Sequence, residues 1–429
     1  MPLRRLIAQN LVWRGLYFFS LFLLNIVVSR YFRADGSGAI YYAMNNLSFL
    51  LLIIGLSLES AAAFYVARGE ISDEKAAFTC FCWALTGTLI SLFFFRWIIP
   101  PDTVFPLQGW GFLLACASYF LGVLLTTYFT PLFFAKKDFV FPNLVLFGLT
   151  LFLLLLLLLF GRYQFVHRHF VQVYFGSFLV QGIVLVLAYF YKNGSRSGIG
   201  WLSGKDLDKL LRYAFLALSG NIIFFLVYRV DYWFVMKYCS LPALGNYIQA
   251  SKLGQLFVLV PTTMASAVFI HTAGQKEDST ESLKILSRWV AFVYAILMGI
   301  LILLGRWLFP FLYGPSFYLM YRPFLLLSPG IISIATLTLM TSYFAGRGKV
   351  LTNVRGAFFA LLIILTGNLF FTPRYGLSAA ALTSTAAYIF YQVYVISIFK
   401  REYKETRVSE FFVPKRRDLH FFKKGGIFP

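Results

Sequence analysis

Apolar runs of about 20 residues or more recur along this chain, joined by short connections. That pattern limits the fold more than any other feature, because about 20 mostly apolar residues are what a helix needs to cross a bilayer. The first six runs fall at 11–30, 38–67, 76–96, 109–134, 139–160 and 170–191. The second six fall at 210–236, 242–271, 287–309, 320–345, 350–371 and 376–399. Only 13% of the 429 residues are charged and 59% are hydrophobic. A soluble domain carries about twice that charge. The mean hydropathy is +0.75. The run from Leu11 to Ser29 has no evident small-residue cleavage site, so it reads as a first span rather than a signal peptide. The expected fold is an all-α polytopic membrane protein of about twelve transmembrane helices.

The net charge of +21 does not point to nucleic acid. Its cations are scattered over many short connections instead of one soluble face. With both termini in the cytoplasm, Arg68, Lys136, Lys137, Lys192, Lys209, Arg347 and Lys349 are among many inner cations. Fewer lie outside, among them Arg30, Arg33, Arg162 and Arg374. This asymmetry follows the positive-inside rule.

The largest inner connection, 192–209, is Gly-rich and basic. It divides the chain into lobes of six helices each, at 1–191 and 210–399, followed by a basic cytoplasmic tail at 400–429. Trp201, Leu202, Leu207, Leu210 and Leu211 suit a segment lying along the membrane surface. The tail mixes Lys415-Arg416-Arg417 and Lys423-Lys424 with Phe411, Phe412, Phe421 and Phe422. It reads either as a surface for anionic membrane lipids or as a disordered basic tail. The halves also echo each other: Gly38-Ala39-Ile40-Tyr41-Tyr42-Ala43 opens the second run and Gly245-Asn246-Tyr247-Ile248-Gln249-Ala250 the eighth. Repeated halves are a transporter architecture.

Function is sought among the charges left inside the runs, since one near mid-span costs about 2.5–3.5 kcal/mol on insertion scales. Arg14 and Glu59 lie at comparable depth near the inner side. They read as an ion pair between adjacent helices or, for Glu59, as a coupling carboxylate. Arg229 and Asp231 are two residues apart near the outer end of the seventh run, so their side chains diverge. They are interfacial residues, or one meets another helix. Lys252 lies about ten residues into the eighth run, near mid-depth at about 1.5 Å per residue. Gln249 and Gln255 flank it at helical spacing, and it is read as facing a cavity. Asn25, Asn45, Asn46, Asn221, Asn368 and Gln392 are expected to hydrogen-bond between helices. The Leu run from Leu153 to Leu159 suggests lipid contact, and Ser378-Ala379-Ala380-Ala381 a close-packing face.

Other chemistry finds little support. Cys80, Cys82, Cys116 and Cys239 lie in or beside apolar runs and read as free thiols. His167 and His169 lack a third ligand, so no metal site is expected. No phosphate loop and no H-E-x-x-H helix occurs, and no cofactor is expected. The outer connections are short, and the first offers Asp35 as its one acid, which disfavours a polytopic glycan-processing enzyme. The expectation is a protein that is not an enzyme.

The second half carries an ordered series of short motifs. Arg229-Val230-Asp231 is followed by Gly245-x-Tyr247-x-x-Ala250 and Pro261, then Leu312-Tyr313-Gly314-Pro315-Ser316-Phe317. Pro329-Gly330, Ala345-Gly346-Arg347-Gly348-Lys349, Asn368 and Pro373-Arg374-Tyr375-Gly376 complete it. This order resembles the polysaccharide flippases (O-antigen and capsule, Wzx-like) of the multidrug/oligosaccharidyl-lipid/polysaccharide exporter superfamily. In the first half, Arg30 with Gly36 and Gly38 resembles that family's opening hairpin more loosely, with Phe32 where a Gly is usual.

The resemblance implies a MATE-like bundle in the bacterial inner membrane. It implies translocation of an undecaprenyl-diphosphate-linked oligosaccharide by alternating access. A diphosphate wants fixed cations, for which Lys252, Arg14, Arg30 and Arg229 are candidates. Glu59 and Asp231 are candidates for ion coupling, and Tyr41, Tyr42, Tyr232 and Trp233 for glycan contact. The implied partners are the lipid-linked oligosaccharide diphosphate and anionic membrane lipids, with a glycan polymerase and other envelope-assembly proteins as further candidates. The alternatives are a multidrug or cation antiporter and a lipid II flippase of the same superfamily.

Overall fold

The computed structural model describes residues 3–98, 110–193, 200–274, 280–415 and 418. Among them every regular element is helical. The chain forms two compact units, Met1–Ile222 and Ile223–Pro429. The division falls beyond the 192–209 connection, inside α7 (Gly204–Arg229), a helix numbered here in chain order. Its first turns belong to the first unit for a physical reason. Tyr213 stacks on Phe64 with ring centroids 4.9 Å apart, and Asn221 Nδ2 donates to Ser57 Oγ at 3.1 Å.

In the first unit, α1 (Leu3–Ile54) holds the first expected span and most of the second. Where the sequence suggests a connection, the helix is interrupted only at Arg33 (φ 57°, ψ −175°). Ser37 Oγ donates to the Arg33 carbonyl at 2.6 Å and satisfies the freed oxygen. α2 (Leu58–Ala67) completes the second span beyond a break. The rest are α3 (Asp73–Ile98), α4 (Trp110–Ala135), α5 (Val140–Phe160) and α6 (Gln164–Asn193). α4 and α6 meet backbone to backbone: a Cβ on Gly122 would fall 2.1 Å from the Phe178 carbonyl carbon. Glycine is what permits that approach in a bundle held by packing rather than by water exclusion.

The second unit holds α8 (Asp231–Tyr238), α9 (Leu241–Gly274), α10 (Thr280–Tyr313), α11 (Tyr321–Gly346), α12 (Val350–Tyr375) and α13 (Leu377–Glu402). α11 is central and packs against α9, α10, α12 and α13. Ala379, Ala380 and Ala381 are buried, which bears out the small-residue face. Gln392 bonds across to α11 through Ser333 at 2.6 Å. Asn368 instead turns inward on its own helix, donating to the Ile364 carbonyl at 2.9 Å.

By length and composition, 10 helices among the described residues can cross a membrane. They cover the expected spans except the eighth, the first two being one stretch, Val12–Ile54. α9 carries Asn246, Gln249, Lys252 and Gln255 in its first half. The Leu run splits by helical period. Leu153, Leu154 and Leu157 are buried, while Leu155, Leu158 and Leu159 are exposed. Only half of it faces outward, since a uniform sequence hides its own periodicity.

The connections on the expected inner side are tied by ion pairs. Lys136 meets Asp73 at 2.5 Å, Lys192 meets Asp138 at 2.9 Å, and Lys209 meets Glu70. The hydrogen bond from Lys209, with Arg68 nearby, holds the Glu70 carboxyl below its ordinary range. Trp201 is exposed and meets Phe78 edge-on at 5.2 Å. Ser203 caps α7, accepting from the Asp206 amide at 3.2 Å.

The stretch read as a basic tail is in part folded structure. Residues 400–402 belong to α13, and the turn Val408–Phe411 packs on α10. Phe411 is buried with its ring 5.3 Å from Phe399. Lys284 pairs with Glu410 at 3.0 Å, and fully buried Arg288 pairs with Asp418 at 2.8 Å. Acids interleaved with the cations give the segment partners on α10. Arg416, Arg417, Phe421, Phe422, Lys423 and Lys424 lie outside the described residues, as does Arg196 in the 192–209 connection.

Candidate functional site

Of the second unit's candidates, Arg229 ends α7, Asp231 opens α8 and Lys252 lies on α9. Asp231 opens α8 directly after Val230 and is 2% exposed. Its Oδ2 accepts hydrogen bonds from the Tyr247 hydroxyl at 2.5 Å and from Ser384 Oγ at 3.1 Å. One carboxylate thus joins α8, α9 and α13. Its Oδ1 is buried with no hydrogen-bond partner among the described residues. A buried carboxylate left half satisfied is costly unless a proton or a cation completes it. Of the two readings of Asp231, the structure takes the one in which it meets other helices.

Arg229 points away from Asp231, as the two-residue spacing requires. Its guanidinium lies 5.4 Å from the Phe225 ring centroid, and its charge acts on Lys252. Lys252 is half-buried on α9. Around it, Gln255 Nε2 reaches Ser251 Oγ at 3.4 Å, and the Tyr232 hydroxyl interacts with both Ser251 and Gln255. Gln249, one turn before Lys252, is 1% exposed, and its Nε2 has no hydrogen-bond partner among the described residues. The polar stripe is real, but its Gln249 end lies in the protein interior. Two cations therefore share one polar neighbourhood, an arrangement that can offer charged donors to a phosphate.

The first unit separates what the sequence suggested as a pair. Glu59 lies half-buried in the first turn of α2, with Ser60 Oγ 3.4 Å from its Oε1. Arg14 is exposed, its guanidinium 5.6 Å from the Phe18 ring centroid. Among the described residues no ion pair joins the two. Glu59 has the α2 N-terminus for electrostatic support instead, and Cys80 and Tyr128 as neighbours. Arg30 is exposed near the Arg33 turn.

Tyr232 and Tyr41 are buried, Tyr232 meeting Tyr247 edge-on at 6.0 Å, so both pack helices rather than present a surface to a glycan. Tyr42 and Trp233 are half-buried. The four cysteines are free thiols. Among the described residues no group of three His, Cys, Asp or Glu could hold a metal. His169 Nδ1 lies 3.0 Å from the Phe165 carbonyl, and the His167 side chain lies outside the described residues. Sequence reasoning missed Ser384, which sits in a small-residue face that marks packing only. It also missed Trp83 and Tyr128, whose polar atoms serve backbone carbonyls and leave no signature.

No protein-family model matches the chain, and no curated protein matches it by sequence. Solved structures do match. The lipid II flippase MurJ, in an inward closed conformation, superposes with a TM-score of 0.69 at 14% identity, over 95% of this chain and 88% of that one. A Vibrio cholerae MATE transporter, VcmN in its bent form, gives 0.63 at 13% identity, over 95% and 99%. A MOP superfamily transporter from Pyrococcus furiosus, described by a binding pocket of reverse polarity, gives 0.62 at 13% identity, over 94% and 96%. The expected fold class is borne out: the chain has the all-helical, multi-pass fold shared by the MATE and MurJ transporters of the MOP superfamily.

Proposed function

We propose that this protein is an inner-membrane flippase that carries a polyprenyl-diphosphate-linked glycan from the inner to the outer leaflet by alternating access. An oligosaccharide unit of O-antigen, capsule or exopolysaccharide is the cargo we favour. One observation carries the reading: Arg229 and Lys252 share a polar neighbourhood within an otherwise apolar bundle. Two cations close enough to repel are stabilised by an anion between or beside them, and a diphosphate supplies one. The polyprenyl tail stays in the bilayer, while the cations take the headgroup. Arg14 and Arg30 are exposed and suit earlier or later contacts with the same headgroup. Anionic lipids would favour the inner-side cations, and a glycan polymerase would receive the product.

Asp231 and Glu59 are the proposed coupling carboxylates. Substituting both by their amides is expected to abolish any dependence of transport on an ion gradient. Unchanged coupling would remove them from the mechanism.

Two readings within the same superfamily have specific support. The likeness to MurJ favours lipid II as cargo. The buried Asp231 and the likeness to MATE transporters favour an organic cation moved by antiport. Deleting the gene separates them. A flippase for oligosaccharide units leaves completed lipid-linked oligosaccharide on the inner leaflet, and accumulated lipid II would reassign the cargo. Drug sensitivity with normal lipid-linked glycan would point to antiport. An incomplete glycan would indicate an enzyme.

A further inference from the structure

The second span is broken near its middle, and three other helices hold it broken. α1 ends at Ile54 and α2 starts at Leu58. Between them Leu56 and Ser57 both have φ 53°, the left-handed region that L-residues with side chains avoid. No proline explains the break. Its freed polar groups are met from outside the helix. Trp83 Nε1 of α3 donates to the Ile54 carbonyl at 2.9 Å, and the Tyr128 hydroxyl of α4 donates to the Gly55 carbonyl at 3.1 Å. Asn221 Nδ2 of α7 donates to Ser57 Oγ at 3.1 Å. Irregular backbone inside an apolar span survives only with such partners. The backbone strain and the three donors oppose each other, so broken and continuous forms of the span are closer in energy than a plain helix would allow.

In the second half the equivalent helix, α9, runs unbroken but carries a proline at the same register. By the echo of Gly38 and Gly245, Pro261 lies as far beyond Gly245 as Ile54 lies beyond Gly38. A break in one half and a proline at the corresponding position of the other are features of the helices that line a transporter's binding site. Glu59, directly after the break, would turn with it.

We propose that residues 55–57 are a pivot on which the second span bends during transport, with Trp83, Tyr128 and Asn221 as the positioning residues that latch its broken form. The proposal rests on the transport reading, and goes beyond it in naming the moving part. Leu56→Gly removes left-handed strain that Leu56→Ala keeps, leaves Ser57 Oγ on Asn221, and so favours the broken form relative to Leu56→Ala. Tyr128→Phe and Asn221→Ala remove latches and favour its loss.

The test uses the full-length protein in lipid nanodiscs and in vesicles carrying a fluorescent polyprenyl-diphosphate glycan. Leu56→Gly is expected to melt higher than Leu56→Ala yet move the probe at least fivefold more slowly than that variant. Tyr128→Phe and Asn221→Ala are expected to melt lower and also slow transport. Hydrogen–deuterium exchange of peptides covering 54–60 should give two populations in wild type that merge into one in Leu56→Gly. A Leu56→Gly variant that is more stable than Leu56→Ala and as fast would overturn the pivot, as would one unchanging exchange population in wild type and Leu56→Gly. If even wild type fails to move the probe, the transported cargo is wrong, and the exchange result alone still decides the pivot.

Discussion

Asp231 is where single-residue chemistry is most exposed to test. Its Oδ2 holds two hydroxyls and its Oδ1 holds none among the described residues. Asp231→Asn keeps an acceptor for Tyr247 and Ser384, whereas Asp231→Ala strands both hydroxyls at a cost of about 1–3 kcal/mol. Thermal melts in detergent should therefore show the alanine variant clearly destabilised and the asparagine variant much less so. Equal melting of the two would mean that the hydroxyls do not depend on this acceptor. The sequence made Asp231 and Lys252 legible, because a charge in an apolar run stands out. Their partners were not legible. Ser384 lies far along the chain in a stretch of small residues, and only the fold brings its hydroxyl to the carboxylate. The same limit explains the Arg14–Glu59 expectation: equal depth does not fix which helix faces a side chain presents.

At the scale of elements, helix existence was written in the apolar runs, while helix interruptions were not. The helices break at Arg33 and at 55–57 without proline because local or distant side chains, Ser37 at the first and Trp83 and Tyr128 at the second, donate to the freed carbonyls. Close packing is equally silent in sequence. Gly122 is one glycine among 32, yet a side chain there would meet the α6 backbone. Gly122→Ala should cost about 1–3 kcal/mol or more through overpacking. Thermal melting measures it, and an unshifted midpoint would show that α4 and α6 separate freely.

The segment after α13 makes a pH-dependent prediction. Burial opposes ionisation of Glu410, but the hydrogen bond and charge of Lys284, with Lys415 and Arg288, outweigh it and hold the carboxyl below its ordinary range. A depressed folded value means the contact stabilises docking above the ordinary carboxylate range, about 4.3, and is lost as pH falls through the lower folded value. Limited proteolysis should find the segment after α13 protected at neutral pH and cut more readily in acid. Glu410→Gln should be cut more readily at neutral pH. A variant with the wild-type pH profile would show that Glu410 does not hold the segment.

For the whole molecule, the chain has two helical units and the fold of the MATE and MurJ structures, and transport is the function we propose for it. The choice of cargo rests on the cations of the second unit. The most direct measurement is transbilayer movement of a fluorescent polyprenyl-diphosphate oligosaccharide in vesicles containing the purified protein. Wild type should move it, and Lys252→Met should lose about ten- to a hundredfold in rate, the worth of one hydrogen bond to a charged group. Lys252→Arg should recover most of it. Movement that is equally fast in wild type and Lys252→Met would contradict a diphosphate held by this cation.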